Sequence, residues 1–159
     1  MSKTFRTFTM LYLILLAVVM GASLYAGAVV APVIFNTADI FGNPVLSHFQ
    51  EGLIMTENFA RLSYATSFTA LVVVIYEGYR FKKGERDVFT AIAALFIIGT
   101  GLLFSFYFIP EILMMQQQGE EATQSQFFLN VHKASEVNFK VYLFAVLVLL
   151  IRHLQRHVR

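Results

Sequence analysis

From Thr7 to Ala38 the chain runs without a single charged residue, and few folds can use such a segment. A helix rises about 1.5 Å per residue, so about 20 apolar residues cross the ~30 Å hydrocarbon layer of a bilayer. Three further uncharged runs follow, Leu62 to Tyr76 (extendable to Phe59 and Tyr79), Val88 to Pro110 and Val141 to Ile151. With 57% of its residues hydrophobic and no long polar stretch, the chain reads as one membrane domain. The expected fold class is an all-α integral membrane protein, a four-transmembrane-helix bundle with helices over 8–35, 59–79, 88–109 and 132–151.

Lys3 and Arg6 precede the first run, and Ala26-Gly27-Ala28 imitates a cleavage site. The apolar core of a signal peptide is only about 7 to 15 residues long, so an uncleaved first helix is expected. Arg80, Lys82, Lys83 and Arg86 lie between the second and third helices, and Arg152, Arg156 and Arg159 follow the fourth. All these charges fall on the side of Lys3 and Arg6, which the positive-inside rule assigns to the cytoplasm. Both termini are therefore expected to be cytoplasmic, in a bacterial inner membrane. The basic clusters are topogenic, and nothing points to nucleic acid. The absence of cysteine excludes disulfides, thiolate nucleophiles and thiolate metal sites, leaving His, carboxylate and Met as metal ligands.

The last run is too short. Val141 to Ile151 holds eleven residues between Lys140 and Arg152, so a full span must start near His132. That brings His132, Lys133, Ser135, Glu136, Asn138 and Lys140 into the outer end of the helix. Ionisable groups at such depth are costly unless they snorkel, pair or face a cavity. His132, Glu136 and Lys140 follow one another at i, i+4 and make one stripe, with Ser135 and Asn138 adjoining. Glu57 and Arg61 repeat the pattern before the second helix. These seven residues together predict a polar vestibule open to the outside, a substrate-binding surface. The plainer alternative is a set of salt bridges that holds helix register near the head groups.

His132 and Glu136, joined by His48 from the first outer loop, would make a two-histidine, one-carboxylate metal set. Haem is not expected, since no histidine pair lies on facing helix middles. His153 and His157 sit among arginines and read as a solvated basic tail. Glu77, near the inner end of the second helix, is within reach of Arg80 or Arg86. No nucleophile, phosphate loop or paired-carboxylate arrangement is apparent, so an enzyme is not expected, and no resident cofactor.

Internal repetition adds a constraint. Ser23, Gly27 and Pro32 have counterparts Gly101, Ser105 and Pro110 at a displacement of 78, and Glu57 and Arg61 correspond to Glu136 and Lys140 at 79. Tandem duplication of a two-helix hairpin would produce this. The small pairs Ser23/Gly27 and Gly101/Ser105 are expected to bring the first and third helices together, because small residues permit close approach in lipid. The prolines are expected to kink or end those helices. Residues 45–54 are expected to form a short interfacial helix, and 114–126 a solvated connection, with extension of the third helix beyond Pro110 as the alternative to its ending there.

The stretch Phe128-x-x-x-His132-x-x-Ser135-x-x-Asn138 resembles the signature that opens the last helix in a family of small four-helix membrane proteins, the domain of unknown function 4149, related to the eukaryotic transmembrane protein 205. Gly21 and the ending Ala31-Pro32-Val33-Ile34-Phe35 resemble that family's first helix. The resemblance implies a four-helix topology and nominates His132, Ser135 and Asn138; it implies no biochemical activity. The expected function is a small-ion or metal permease or binding protein, in a homo-oligomer. The alternative is a non-catalytic accessory or assembly subunit of a larger membrane complex.

Overall fold

A computed structural model describes residues 3–158, and Arg159 and the side chain of His157 lie outside the described residues. Four long helices dominate it. Helix α1 starts as Lys3–Tyr25, widens into a π-helical turn at Ala26–Val30 and resumes as Ala31–Phe35. Helix α2 is His48–Lys82. Helix α3 runs as Val88–Leu103, a second π-helical turn Phe104–Phe108, and Ile109–Gln117. Helix α4 is Gln126–Val158. Short helices Thr37–Phe41 and Glu120–Thr123 lie in the two connections at the end of the bundle away from the basic residues, the end that the sequence predicts to be outer.

All four are long and apolar enough to cross a membrane, with stretches of 31, 35, 30 and 31 residues. Each exceeds the ~20 residues that a span needs. Arg80, Lys82, Arg152 and Arg156 occupy the ends of α2 and α4 that meet the start of α3. The surplus length therefore belongs to the opposite side.

Two boundaries differ from expectation for physical reasons. Residues 45–54 do not form a separate helix, because Ser47 and Gln50 make a capping box that starts α2 at His48. Pro110 does not end α3. A proline ring collides with the carbonyl four residues back, and the wide turn before it, closed by Ile109 N–H to Phe104 O, absorbs the clash. Pro32 is treated identically, with Ala31 N–H bonded to Ala26 O. The first, third and fourth helices are likewise longer than predicted, at one end or both.

Within each half the same devices recur at a displacement of 78. The π turns, the prolines behind them, the N-cap serines Ser47 and Ser125, and the starts of α2 and α4 all obey it. This is the pattern expected of a duplicated hairpin.

Packing follows the order of the chain around a ring. α1 touches α2 and α4, α2 touches α3, and the α3–α4 pair is the most extensive. The expectation that the first and third helices meet through small residues is therefore corrected, since α1 and α3 lie on a diagonal. Gly101 instead admits the Tyr142 ring of α4 and the Thr66 carbonyl of α2, with only 3.2 Å between its missing Cβ and Tyr142 Cε2. Ser105 bonds Ser63 O at 3.0 Å and Thr66 Oγ1 at 3.1 Å. Ser23 is buried, whereas Gly27 has open space before it.

Two apolar clusters fill the bundle. The inner one includes Leu16, Val19, Val73, Ile97, Val146 and Leu149, all almost completely buried. The outer one is aromatic, built on Phe104, Phe108 and Phe139 with Ile109, Ile112 and Met115.

Candidate functional site

The outer half of the bundle encloses a cavity of about 890 Å³ reached by side chains of all four long helices. Its existence follows from a difference between the halves. The π turn of α3 carries Phe104 and Phe108, which pack inward; the matching positions on α1 are Ala26 and Val30. Ile109 of α3 is buried, and its counterpart on α1 is Ala31. Smaller side chains on α1 leave unfilled what the second half packs shut. Phe59, Phe104 and Phe139 lie along the cavity with ring centroids 5.1–6.1 Å apart.

Four of the predicted substrate residues line this space, namely His132, Ser135, Glu136 and Lys140. The stripe is as expected: Glu136 lies 3.4 Å from His132 Nε2 and 3.4 Å from Lys140 Nζ. All three side chains are about half exposed or more. Ser135 is buried and donates to the His132 carbonyl of its own helix. Asn138 points elsewhere; its Nδ2 donates to the Thr100 carbonyl at 2.9 Å and ties α4 to α3. Glu57 and Arg61 pair with each other at 2.8 Å on an exposed face and are not among the lining residues. The seven-residue surface is thus divided by the helical rotation that separates Asn138 from Lys140.

The metal set is not assembled. His48 reaches the cavity but pairs with Glu51 at 3.4 Å, and Glu51 accepts from Thr37 Oγ1 at 2.9 Å. Among the described residues no three His, Asp or Glu side chains come together.

Gln116 is a lining residue that the sequence reading did not single out. It is buried, its Nε2 donates to Thr56 Oγ1 at 2.9 Å, and its Oε1 has no partner among the described residues. A buried amide oxygen left bare costs about 1–3 kcal/mol.

The inner end carries a second polar cluster. His153 is wholly buried, which corrects its reading as part of a solvated tail. Arg80 Nη1 lies 2.8 Å from His153 Nδ1, and His153 Nε2 lies 2.7 Å from Glu77 Oε1. A guanidinium only donates, so Nδ1 accepts and the Nε2 proton is directed at Glu77. The same Glu77 oxygen accepts from Tyr12 of α1 at 2.9 Å. Arg80 continues to Glu85 through Nε at 3.0 Å, and Tyr76 donates to Thr9 at 2.8 Å. One network therefore joins α1, α2, α4 and the α2–α3 turn. Beside it, Asp87 caps α3 through Thr90 N–H and binds Arg152 and Arg156. The backbone hydrogen bond from Thr90 and then the two arginines hold its carboxyl down at about 2.

Spacing carried the missing signal. Thr9, Tyr12, Leu16, Val19, Ser23 and Ala26 recur at three- and four-residue intervals and form the inward stripe of α1. Ser135, Asn138, Tyr142, Ala145, Leu149 and His153 do the same on α4. Extending that periodicity through Arg152 puts His153 inside the bundle.

No curated protein and no solved structure matches the chain. A family model does, over residues 1–121. The matched span takes in α1, α2 and α3 with their connections and stops before α4, so His132, Ser135 and Asn138 lie beyond it. On those three helices the chain belongs to the family described as a domain of unknown function, DUF4149.

Proposed function

We propose that this chain is a small polytopic protein of a bacterial inner membrane, with both termini cytoplasmic, that binds a small solute in the outer cavity and passes it across the bilayer. The observation that carries the reading is a cavity of about 890 Å³ lined by all four helices, above an inner half filled by a buried apolar cluster and an ionic network. A site open on one side and closed on the other is one half of an alternating-access cycle. Rings and methylenes make up most of its exposed wall, beside the polar stripe of His132, Glu136 and Lys140, within the range of about 300–1,000 Å³ of small-molecule sites. That character favours a solute with an apolar part over a bare metal ion. The orientation draws on the concentration of Arg and Lys at one end of the bundle.

Proteoliposomes provide the test. Uptake of choline, octylamine and manganese(II) is compared with protein-free vesicles and with vesicles carrying Gly27→Phe, which fills the cavity from a position with open space before it. Protein-dependent uptake of one of these probes that Gly27→Phe abolishes is expected. Fluxes equal to those of protein-free vesicles for all three would sink the permease reading.

A further inference from the structure

We infer that the occupant of the outer cavity is a single-chain amphiphile with a positively charged, hydrogen-bond-donating head, which enters sideways from the outer leaflet through the seam between α1 and α4. The inference rests on the cavity being the binding site proposed above. It adds the class of molecule and the route.

The route follows from packing. The Lys3–Tyr25 part of α1 packs against α4, but beyond the π turn Ala31–Phe35 leans on α2 instead. Gly27 on α1 and Lys140 on α4 both border the cavity, so the cavity reaches the place where these helices part. In the other half of the repeat the equivalent seam is closed. Ser105, the counterpart of Gly27, bonds two groups on α2, and Phe104 and Phe108 fill the space behind it. The opening is thus a property of α1 alone, produced by Ala26, Gly27, Val30 and Ala31 standing where α3 carries bulkier side chains. The residues flanking it belong to membrane-spanning stretches, which makes lipid the adjoining phase.

The head group follows from polarity. The lower walls are aromatic, whereas Gln116, Glu120 and Gln124 line the cavity beyond Pro110, where α3 and its connection extend past the length a bilayer requires. A molecule with its chain among Phe59, Phe104 and Phe139 and its head near Gln116 has the orientation of an outer-leaflet lipid. Setting the histidines aside, the lining carries two carboxylates, Glu120 and Glu136, against one ammonium, Lys140. Lys140 already engages Glu136, and Glu120 makes no ion pair among the described residues. An ammonium or amino-alcohol head supplies the partner that Glu120 lacks. A carboxylate head would face the excess negative charge.

The test uses the full-length protein in nanodiscs with two diazirine-bearing probes of equal chain length, a long-chain primary amine and the corresponding carboxylic acid. After illumination the labelled peptides are mapped by mass spectrometry. The amine is expected to label residues 104–116 and 128–140 about tenfold more than the acid, a ratio equivalent to one decade of affinity. Gly27→Phe and Ala31→Ile, the latter installing the residue found at the matching place on α3, are each expected to cut that labelling about tenfold. Leu95→Phe, on an outward-facing position, is expected to leave it unchanged. Equal labelling by both probes overturns the head-group assignment. Labelling that survives both cavity-filling variants, verified as folded by gel filtration, overturns the cavity as the site. Labelling as expected without flux in proteoliposomes upholds the site and its ligand class and removes passage from the function proposed above. Octylamine flux without labelling of these peptides removes the inference and keeps the permease.

Discussion

Glu77 is the residue on which most of the inner network depends. Its Oε1 accepts from Tyr12 and from His153, and Oε2 lies 3.9 Å from Arg80. Removing the charged partner of buried groups such as Arg80 and His153 is severe because they stay behind unpaired. Glu77→Leu is therefore expected to destabilise the bundle by about 3 kcal/mol or more, read as a lowered unfolding temperature in detergent micelles. Glu77→Gln keeps an acceptor oxygen for Tyr12 and His153 but loses the charge facing Arg80, and should lose about half as much, roughly 1–2 kcal/mol. Unfolding of Glu77→Leu at the wild-type temperature would rule out a structural role for the network. The contrast with the outer stripe is instructive. His132, Glu136 and Lys140 were legible from the sequence because three polar residues at i, i+4 cannot avoid one another on a helix. Glu77 and His153 are 76 residues apart, and only the packing of α2 near α4 brings them together.

Among the elements, α1 and α3 offer a comparison that isolates packing from backbone conformation. Both contain a π turn ahead of a proline, and both carry a glycine in the preceding or same turn. Gly101 is pressed against Tyr142, where an added Cβ would come within 3.2 Å of the ring. Tyr142 is almost fully buried and has little room to yield. Gly101→Ala is expected to destabilise by about 1–3 kcal/mol, the range for overpacking a filled core. Gly27 meets nothing within 4 Å, so Gly27→Ala should gain about 0.5–1 kcal/mol from reduced chain entropy. Unfolding midpoints of the two variants in one detergent decide the matter; shifts in the same direction would contradict the packing difference between the halves. The existence and order of the four helices were plain from the sequence, since uncharged runs of this length admit no other solution in a bilayer. Their ends were not, because the Ser47–Gln50 box starts the second helix well before its apolar run and the π turns overrule the local signal of Pro110. Nor could small residues alone name the helix they face. Gly101 and Ser105 do permit close approach, but toward α2 and α4.

At the scale of the whole molecule the two hairpins run in the same sense. α1 and α3 both leave the basic end, and α2 and α4 return to it, so the halves are related as parallel repeats about an axis along the bundle. Such a pair would be symmetric if its halves were equally packed. Here the α2–α3 and α3–α4 contacts are extensive, those of α1 are sparser, and the cavity lies on the side of α1. A molecule so built sets one less extensively packed helix against a tighter three-helix unit. Which face of the membrane that cavity meets depends on the arginines and lysines at the α2–α3 turn and on the last turns of α4. The absence of cysteine permits a direct measurement. Lys83→Cys, in the α2–α3 turn, and Glu121→Cys, in the outer connection, are exposed positions at opposite ends of the bundle. In intact bacterial cells an impermeant maleimide is expected to modify Glu121→Cys and to spare Lys83→Cys until the membrane is broken. The reverse pattern would turn the cavity toward the cytoplasm, and with it the leaflet from which an amphiphile could reach the α1–α4 seam.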